Sequence, residues 1–196
     1  MKSRGVIIAF EGVPGAGKTT TIKMLAKKVF GRKAVVLPQV ILSQYKGDDL
    51  FVSKRYLDAE IKKVAMIRRL QKQYQYVLVD RSFFTTLAYS YARSKSELDP
   101  RSYAELIRYF RQLDRAHKFL RPTHLFFFFV SITKSLKRRA SYAKFKRFER
   151  WFDPKFLKHL ESFYRRGVGF GMPQPVIIDT TDMTKKEVVS IILKHL

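Results

Sequence analysis

Gly12-Val13-Pro14-Gly15-Ala16-Gly17-Lys18-Thr19 is a complete G-x-x-x-x-G-K-[ST] phosphate-binding loop. Its flanks supply the context such a loop needs. Upstream, Val6-Ile7-Ile8-Ala9-Phe10 is a short apolar run that reads as a buried strand. Downstream, residues 20–29 place apolar side chains at 22, 25, 26 and 29, the spacing of one helix face. A strand, a glycine loop and a helix N-terminus in that order give the pattern its mechanism. Glycines let backbone N–H groups close around a β-phosphate, and the helix start favours anions. Residues Gly12, Val13, Pro14, Gly15, Ala16, Gly17, Lys18, Thr19 and Thr20 are therefore the expected nucleotide cradle. Within it, Lys18 supplies a point charge for the β/γ-phosphates and Thr19 a hydroxyl for Mg²⁺.

Composition narrows the remaining classes. The 196 residues suffice for one α/β domain with a good core and are too few for two comfortable ones. With no cysteine, disulfides, thiolate metal sites and cysteine nucleophiles are excluded. His117, His124, His159 and His195 are scattered without ligand spacing, so core or surface roles are expected for them. The longest wholly apolar run, Leu125 to Val130, is far short of the roughly 20 residues that span a bilayer. The expectation is a soluble, cytoplasmic protein with no membrane partner. The charge balance is lopsided: 40 Lys and Arg against 16 Asp and Glu give +24. Such a surface attracts polyanions, which leaves open nucleotides, non-specific nucleic acid, or a basic face that is merely solvated.

Five short apolar runs, 5–10, 34–37, 76–79, 124–130 and 175–178, alternate with helical stretches. Repeated βαβ units predict a doubly wound, five-stranded parallel sheet with helices on both faces. Asp99 before Pro100 is a helix start, with Asp as N-cap and Pro at N1. Thr184-Lys185-Lys186-Glu187 is a capping box. Ligands of open α/β sheets lie beyond the carboxyl ends of the strands. The phosphate loop, Pro38-Gln39, Asp80-Arg81 and Asp179-Thr180 are therefore expected to converge.

Asp80 ends an apolar strand beside the phosphate loop, where a carboxylate holds Mg²⁺ directly or through water. The competing role is a cap on the helix that begins near Ser82. Arg81 has the planar fork that suits bidentate contact with a phosphate. Residues 134–150 carry eight Lys and Arg, among them Arg138 and Arg147, and one acid, Glu149. They are expected to form a basic lid that covers the γ-phosphate and excludes water, the alternative being an exposed basic helix. A second basic run, 54–72, has flanking aromatics. It is read as an amphipathic helix with a solvated face rather than a stacking platform for bases.

Together these residues resemble the thymidylate kinase family and its relatives among the P-loop nucleoside and nucleotide kinases. Nearly the whole chain takes part. Phe10-Glu11-Gly12 leading into Gly17-Lys18-Thr19-Thr20 is similar to the family's opening strand and loop. Val79-Asp80-Arg81-Ser82, with Ala88-Tyr89 beyond it, resembles the Asp-Arg-Tyr/Ser motif. Arg138, then Arg147-Phe148-Glu149, then Phe156 and Tyr164 are similar to its lid and following helix, and Val176 to Asp179 to its final strand. The resemblance implies a nucleotide-kinase-type P-loop fold with residues 1–196 as a single domain, an ATP:nucleotide phosphotransferase activity, Mg²⁺ and often a homodimer. It also implies that Asp80 serves the metal and Arg81 the acceptor phosphate. Three positions depart from the pattern. Pro14 stands where the family usually has Asp, Leu37-Pro38-Gln39 replaces an acidic triplet, and Gly15 is not Arg, which moves any transition-state arginine to the 134–150 segment.

The leading expectation is transfer of the γ-phosphoryl group of ATP to a nucleoside monophosphate, dTMP first, with Lys18, Arg81, Arg138 and Arg147 in the catalytic set. A deoxynucleoside kinase is the enzymatic alternative. It needs a base near the end of the second strand, where Gln39 stands. A nucleic-acid-binding P-loop ATPase or degenerate kinase is the alternative from another class.

Overall fold

Strand β1, Val6–Gly12, lies at the centre of a five-stranded parallel sheet of order β2-β3-β1-β4-β5. Its neighbours are β3, Tyr76–Asp80, and β4, His124–Phe129. Strands β2, Ala34–Leu37, and β5, Val176–Asp179, form the edges. The computed structural model describes residues 4–42, 48–116, 118–144, 146–167 and 169–196, without the side chains of 146–148. His117 and the side chain of Arg147 therefore lie outside the described residues.

The central strands are continuously apolar because both of their faces are covered. Ile7 to Phe10, Val77 to Val79 and Leu125 to Phe129 are all buried. Register then fixes the site. Phe10 pairs with Asp80, Gly12 with Phe128, and Phe129 with Asp179, so the strand ends fall on one side of the sheet.

The helices are α1 (Lys18–Met24), α2 (Asp49–Leu70), α3 (Phe83–Ser96), α4 (Pro100–Arg115), α5 (Ile132–Arg138), α6 (Pro154–Arg166) and α7 (Lys185–Lys194). Their ends follow local chemistry. Asp99 accepts a hydrogen bond from the Ser102 N–H at 3.3 Å, with Pro100 in the first turn. The Thr184 hydroxyl accepts from the Glu187 N–H, and the Glu187 carboxylate accepts from the Thr184 N–H at 2.7 Å. Ser82 caps α3 by accepting from the Phe84 N–H, which leaves Asp80 out of the capping role. One helix differs from its expected form. The α-helical turns after the phosphate loop stop at Met24, and Leu25–Phe30 continue as a π-helix. That wider turn delivers Phe30 onto Tyr76, with the rings stacked 4.0 Å apart.

Helices α3 and α6 pack against each other over β4 through aromatic side chains. Phe84 is fully buried, and its ring centroid lies 5.4 Å from Phe127, 5.1 Å from Phe163 and 5.8 Å from Tyr164. Truncating a buried phenylalanine removes its transfer free energy and leaves a cavity, a loss of about 3–5 kcal/mol. Phe84→Ala is expected to lower the unfolding free energy by that amount in urea titration. A loss below about 1 kcal/mol would show that this aromatic layer does not hold the two helices.

Candidate active site

The phosphate loop is shaped by its first glycine. Gly12 has φ 116°, and a Cβ there would sit 2.1 Å from the Phe128 carbonyl oxygen, so no other residue fits. Ser135 Oγ donates to the Pro14 carbonyl at 2.8 Å, and Thr180 Oγ1 donates to the Ala16 carbonyl at 3.1 Å. The loop is thus held by residues that follow β4 and β5, as the convergence of strand ends requires.

Lys18 is buried, and its Nζ donates to the carbonyls of Gly12 at 3.0 Å and Val13 at 2.6 Å. Burial, followed by the positive charge of Arg81, holds its pKa well below the usual lysine value. Thr19 Oγ1 donates to Asp80 Oδ2 at 2.7 Å, bringing together the hydroxyl and carboxylate assigned to a metal. Among the described residues, no cluster of three or more His, Cys, Asp or Glu could hold a metal.

Arg81 takes a left-handed backbone conformation, φ 66°, at a cost of about 1–3 kcal/mol for a non-glycine residue. Three contacts hold it there. Its N–H donates to the Phe10 carbonyl at 3.1 Å, its Nη1 to the Gly12 carbonyl at 3.2 Å and to Thr85 Oγ1 at 3.1 Å. Lys63 Nζ in turn donates to the Arg81 carbonyl at 3.1 Å. Behind this turn lies Glu11, fully buried. Its carboxylate accepts from the Ser82 N–H and hydroxyl, both at 2.7 Å, from Thr85 Oγ1 at 2.5 Å and from the Tyr164 hydroxyl at 3.1 Å. Burial, then the Glu11 charge, raises the Tyr164 pKa above its ordinary value.

Two cavities meet at Arg81. One lies over the phosphate loop and is lined by Pro14, Thr19, Gln39, Arg81, Arg139 and Trp151 among others. The second, of about 240 Å³, runs between α2 and α3 and is lined by Ser53, Tyr56, Glu60, Arg81, Thr86 and Tyr89 among others. Gln39, Arg81 and Trp151 line both.

The 134–150 segment is divided in its contacts. Arg138 reaches behind the loop, donating to the carbonyls of Gly15 at 3.1 Å and Thr180 at 3.2 Å. Arg139 is the described arginine of this segment that lines the cleft. It donates to the Trp151 carbonyl at 2.7 Å, and burial with the charge of Arg81 lowers its pKa. Arg150 binds Asp49 at 2.8 Å, Glu97 at 2.6 Å and the Tyr89 hydroxyl at 2.7 Å, joining the segment to α2 and α3.

Sequence reasoning left Glu60 and Trp151 without roles, counted Arg139 only as one cation of the basic lid, and placed Lys63 on a solvated helix face, where the structure instead buries it. Glu60 carried a signal: at 57, 60, 64 and 67 it shares the helix stripe of Leu57, Val64 and Ile67, all buried. A carboxylate on a core stripe calls for an explanation. In the structure it lines the α2–α3 cavity, 3.5 Å from Lys63 Nζ. Burial is the main cause that raises its pKa from 4.5 to about 7, against the pull of Lys63.

An acid whose folded pKa is raised stays protonated when folded at pH values where the unfolded chain has already ionised. Stability therefore falls as pH climbs from about 4.5 to about 7. Glu60→Gln removes that dependence. In denaturant titrations the variant is expected to exceed wild type by about 3 kcal/mol at pH 8, a gap that shrinks several-fold by pH 5. A gap independent of pH would contradict the assignment.

A family described as AAA domain matches residues 7–163. No curated protein matches the sequence. Among solved structures, thymidylate kinase from Candida albicans superposes with a TM-score of 0.78 at 16% identity, covering 100% of this chain and 92% of that one. Deoxyadenosine kinase from M. mycoides with bound dATP gives a TM-score of 0.72 at 17% identity, over 96% of this chain and 97% of that one. The same enzyme with bound dCTP gives 0.67 at 18% identity, over 97% and 98%. Loop, strand ends and topology thus agree with the match: the chain belongs to the AAA domain family, and its fold is that of the P-loop nucleoside and nucleotide kinases.

Proposed function

We propose that this protein is an ATP-dependent nucleoside monophosphate kinase, with dTMP the acceptor that its family resemblance implies. The observation that carries the reading is the position of Arg81, which lines both the phosphate-loop cavity and the α2–α3 cavity beside it. A guanidinium there can hold an acceptor phosphate while facing the donor triphosphate. Transfer breaks the bond between the γ-phosphorus and its bridging oxygen and forms one to an acceptor phosphate oxygen. That oxygen is already anionic, so positioning and charge stabilisation carry the catalysis.

Lys18 neutralises the β/γ-phosphates, exchanging its two loop carbonyls for phosphate oxygens. Arg139 adds a second cation over the transferring group. Arg138 fastens the segment to Gly15 and Thr180, and Arg147 belongs to the same closing segment of residues 134–150. Closure of that segment excludes water and so favours transfer over hydrolysis. Thr19 and Asp80 fit Mg²⁺, a hard cation bound through one or two carboxylates, hydroxyls and substrate phosphates. Held by Thr19 and Asp80, Mg²⁺ would supply charge neutralisation to the triphosphate.

Glu60 favours a second reading. A carboxylate with a pKa of about 7 in the acceptor cavity has the affinity of a general base, which a nucleoside hydroxyl needs and a monophosphate does not. A nucleoside kinase is therefore the alternative.

The deciding measurement is ADP formation from ATP with a panel of nucleoside monophosphates and nucleosides. Monophosphates are expected to stimulate turnover, and Lys18→Ala to reduce it by about 10²–10³-fold or more with unchanged thermal unfolding. Equal ADP formation by wild type and Lys18→Ala, or turnover indifferent to every acceptor, would defeat the kinase reading. Stimulation by nucleosides alone, lost in Glu60→Gln, would establish the alternative.

A further inference from the structure

Helices α2 and α4 lie side by side on the surface. Lys54 Nζ meets Glu105 Oε1 at 2.6 Å, and the Tyr109 hydroxyl donates to Asp58 at 2.6 Å. Both pairs are 51 residues apart, so the helices run parallel and keep register along their contact. Each carries a row of exposed cations seven residues apart: Arg55, Lys62 and Arg69 on α2, Arg101, Arg108 and Arg115 on α4. Seven residues are nearly two helical turns, so each row stays on one face, with about 10 Å between successive cations. Packed helices lie about 8–10 Å apart. Each row is about 21 Å long, and the register of the seam staggers the two by about 7 Å. Together they form a grid about 28 Å long with neighbouring cations about 10 Å apart.

The acids near this grid are occupied. Asp58 accepts from Tyr109 and pairs with Arg55, Glu105 pairs with Lys54, and Asp114 pairs with Arg121. At the end of the α4 row the surface continues into a hollow lined by Arg111, Asp114, Arg115, Phe119 and Arg121. There Arg121 Nη1 is buried without a hydrogen-bond partner among the described residues.

We propose that the α2–α4 face binds the phosphate backbone of nucleic acid without reading its sequence. Cations about 10 Å apart cannot converge on a single phosphate group, so a mononucleotide would satisfy one or two of them. Only an extended polyanion engages the set, and a nucleic-acid duplex presents a phosphate about every 3.4 Å along each strand. Five of the six cations are arginines, whose planar forks match phosphate oxygens. Aromatic groups for stacking bases are not offered by this grid: Tyr109 is engaged by Asp58 and Lys54, and the Phe51 ring lies under Arg55. The exposed large apolar side chains of α2 are Phe51 and Met66, too few to insert into a lipid surface.

The probe is a fluorescent duplex DNA of mixed sequence, titrated with the full chain at several salt concentrations. Three proteins are compared: wild type, a variant with Lys62, Arg69, Arg108 and Arg115 all changed to Ala, and a control with Lys27, Lys28, Lys186 and Lys194 changed to Ala. All eight positions are exposed, so thermal melts are expected to match. Wild type is expected to bind with a log–log salt slope near −5, and the grid variant with a slope shallower by about 3 to 4 units. The control is expected to keep most of the wild-type slope. Equal losses in the two variants would reduce the effect to net charge and overturn the proposal. So would undetectable wild-type binding at 50 mM salt, strong preference for one DNA sequence, or capture by phosphatidylserine vesicles in place of duplex.

Discussion

Glu11, buried at the carboxyl end of the central strand, accepts hydrogen bonds from Ser82, Thr85 and Tyr164 and so joins β1, the start of α3 and the body of α6 around one charge. A buried carboxylate is costly unless its oxygens are satisfied, and here four donors satisfy them. Those donors constrain the turn between β3 and α3. The Thr85 hydroxyl has one proton, which goes to Glu11, so only its lone pairs remain for the Arg81 guanidinium. The same turn carries Asp80 to Thr19 and Arg81 toward both cavities. The strain of Arg81 at positive φ is thus held by contacts on both sides, as local strain requires if it is to persist.

Much of this was legible in the sequence, for identifiable reasons. Strands buried on both faces are written as unbroken apolar runs, as in β1, β3 and β4. The edge strands β2 and β5 were visible as apolar runs too, although the run of β5 is not fully buried and Ile177 is exposed. Caps depend on residues three apart, so Asp99 with Pro100 and the Thr184–Glu187 box could be read directly. The rule that ligands lie beyond strand ends brought together the loop, Gln39, Asp80, Arg81 and Thr180. The π-helical turn at Leu25–Phe30 was not legible, since no local signal separates it from the α-helix that its apolar spacing also suits. In the basic segment the sequence supplied a surplus of arginines without an orientation. Arg138 and Arg139 are adjacent, but one ends α5 and the other begins the turn that follows, so Arg138 is spent on the carbonyls of Gly15 and Thr180 while Arg139 lines the cavity over the loop.

The α2–α4 grid illustrates a different limit. The run at 54–72 was visible, but alone it describes a helix with a solvated basic side. Its partner row on α4 is some forty residues away and becomes relevant only because Lys54–Glu105 and Asp58–Tyr109 fix the two helices in parallel register. Charge that is anonymous in composition acquires geometry from two seam contacts.

The cations of this protein thus fall into two physically different groups. Around the phosphate loop, Lys18 is buried and Arg139 half-buried close to Arg81, and burial and mutual repulsion both work against their charge. An arriving triphosphate reverses both terms, so binding there gains from relieving a cost already present in the protein, and couples nucleotide to stability. On the α2–α4 face the cations are hydrated and about 10 Å apart, so each gives up little on its own and gains little from a small anion. Their contribution becomes large only when one polymer releases the counterions of several phosphates together. Spacing and burial, rather than the total of +24, decide which anion each group can hold.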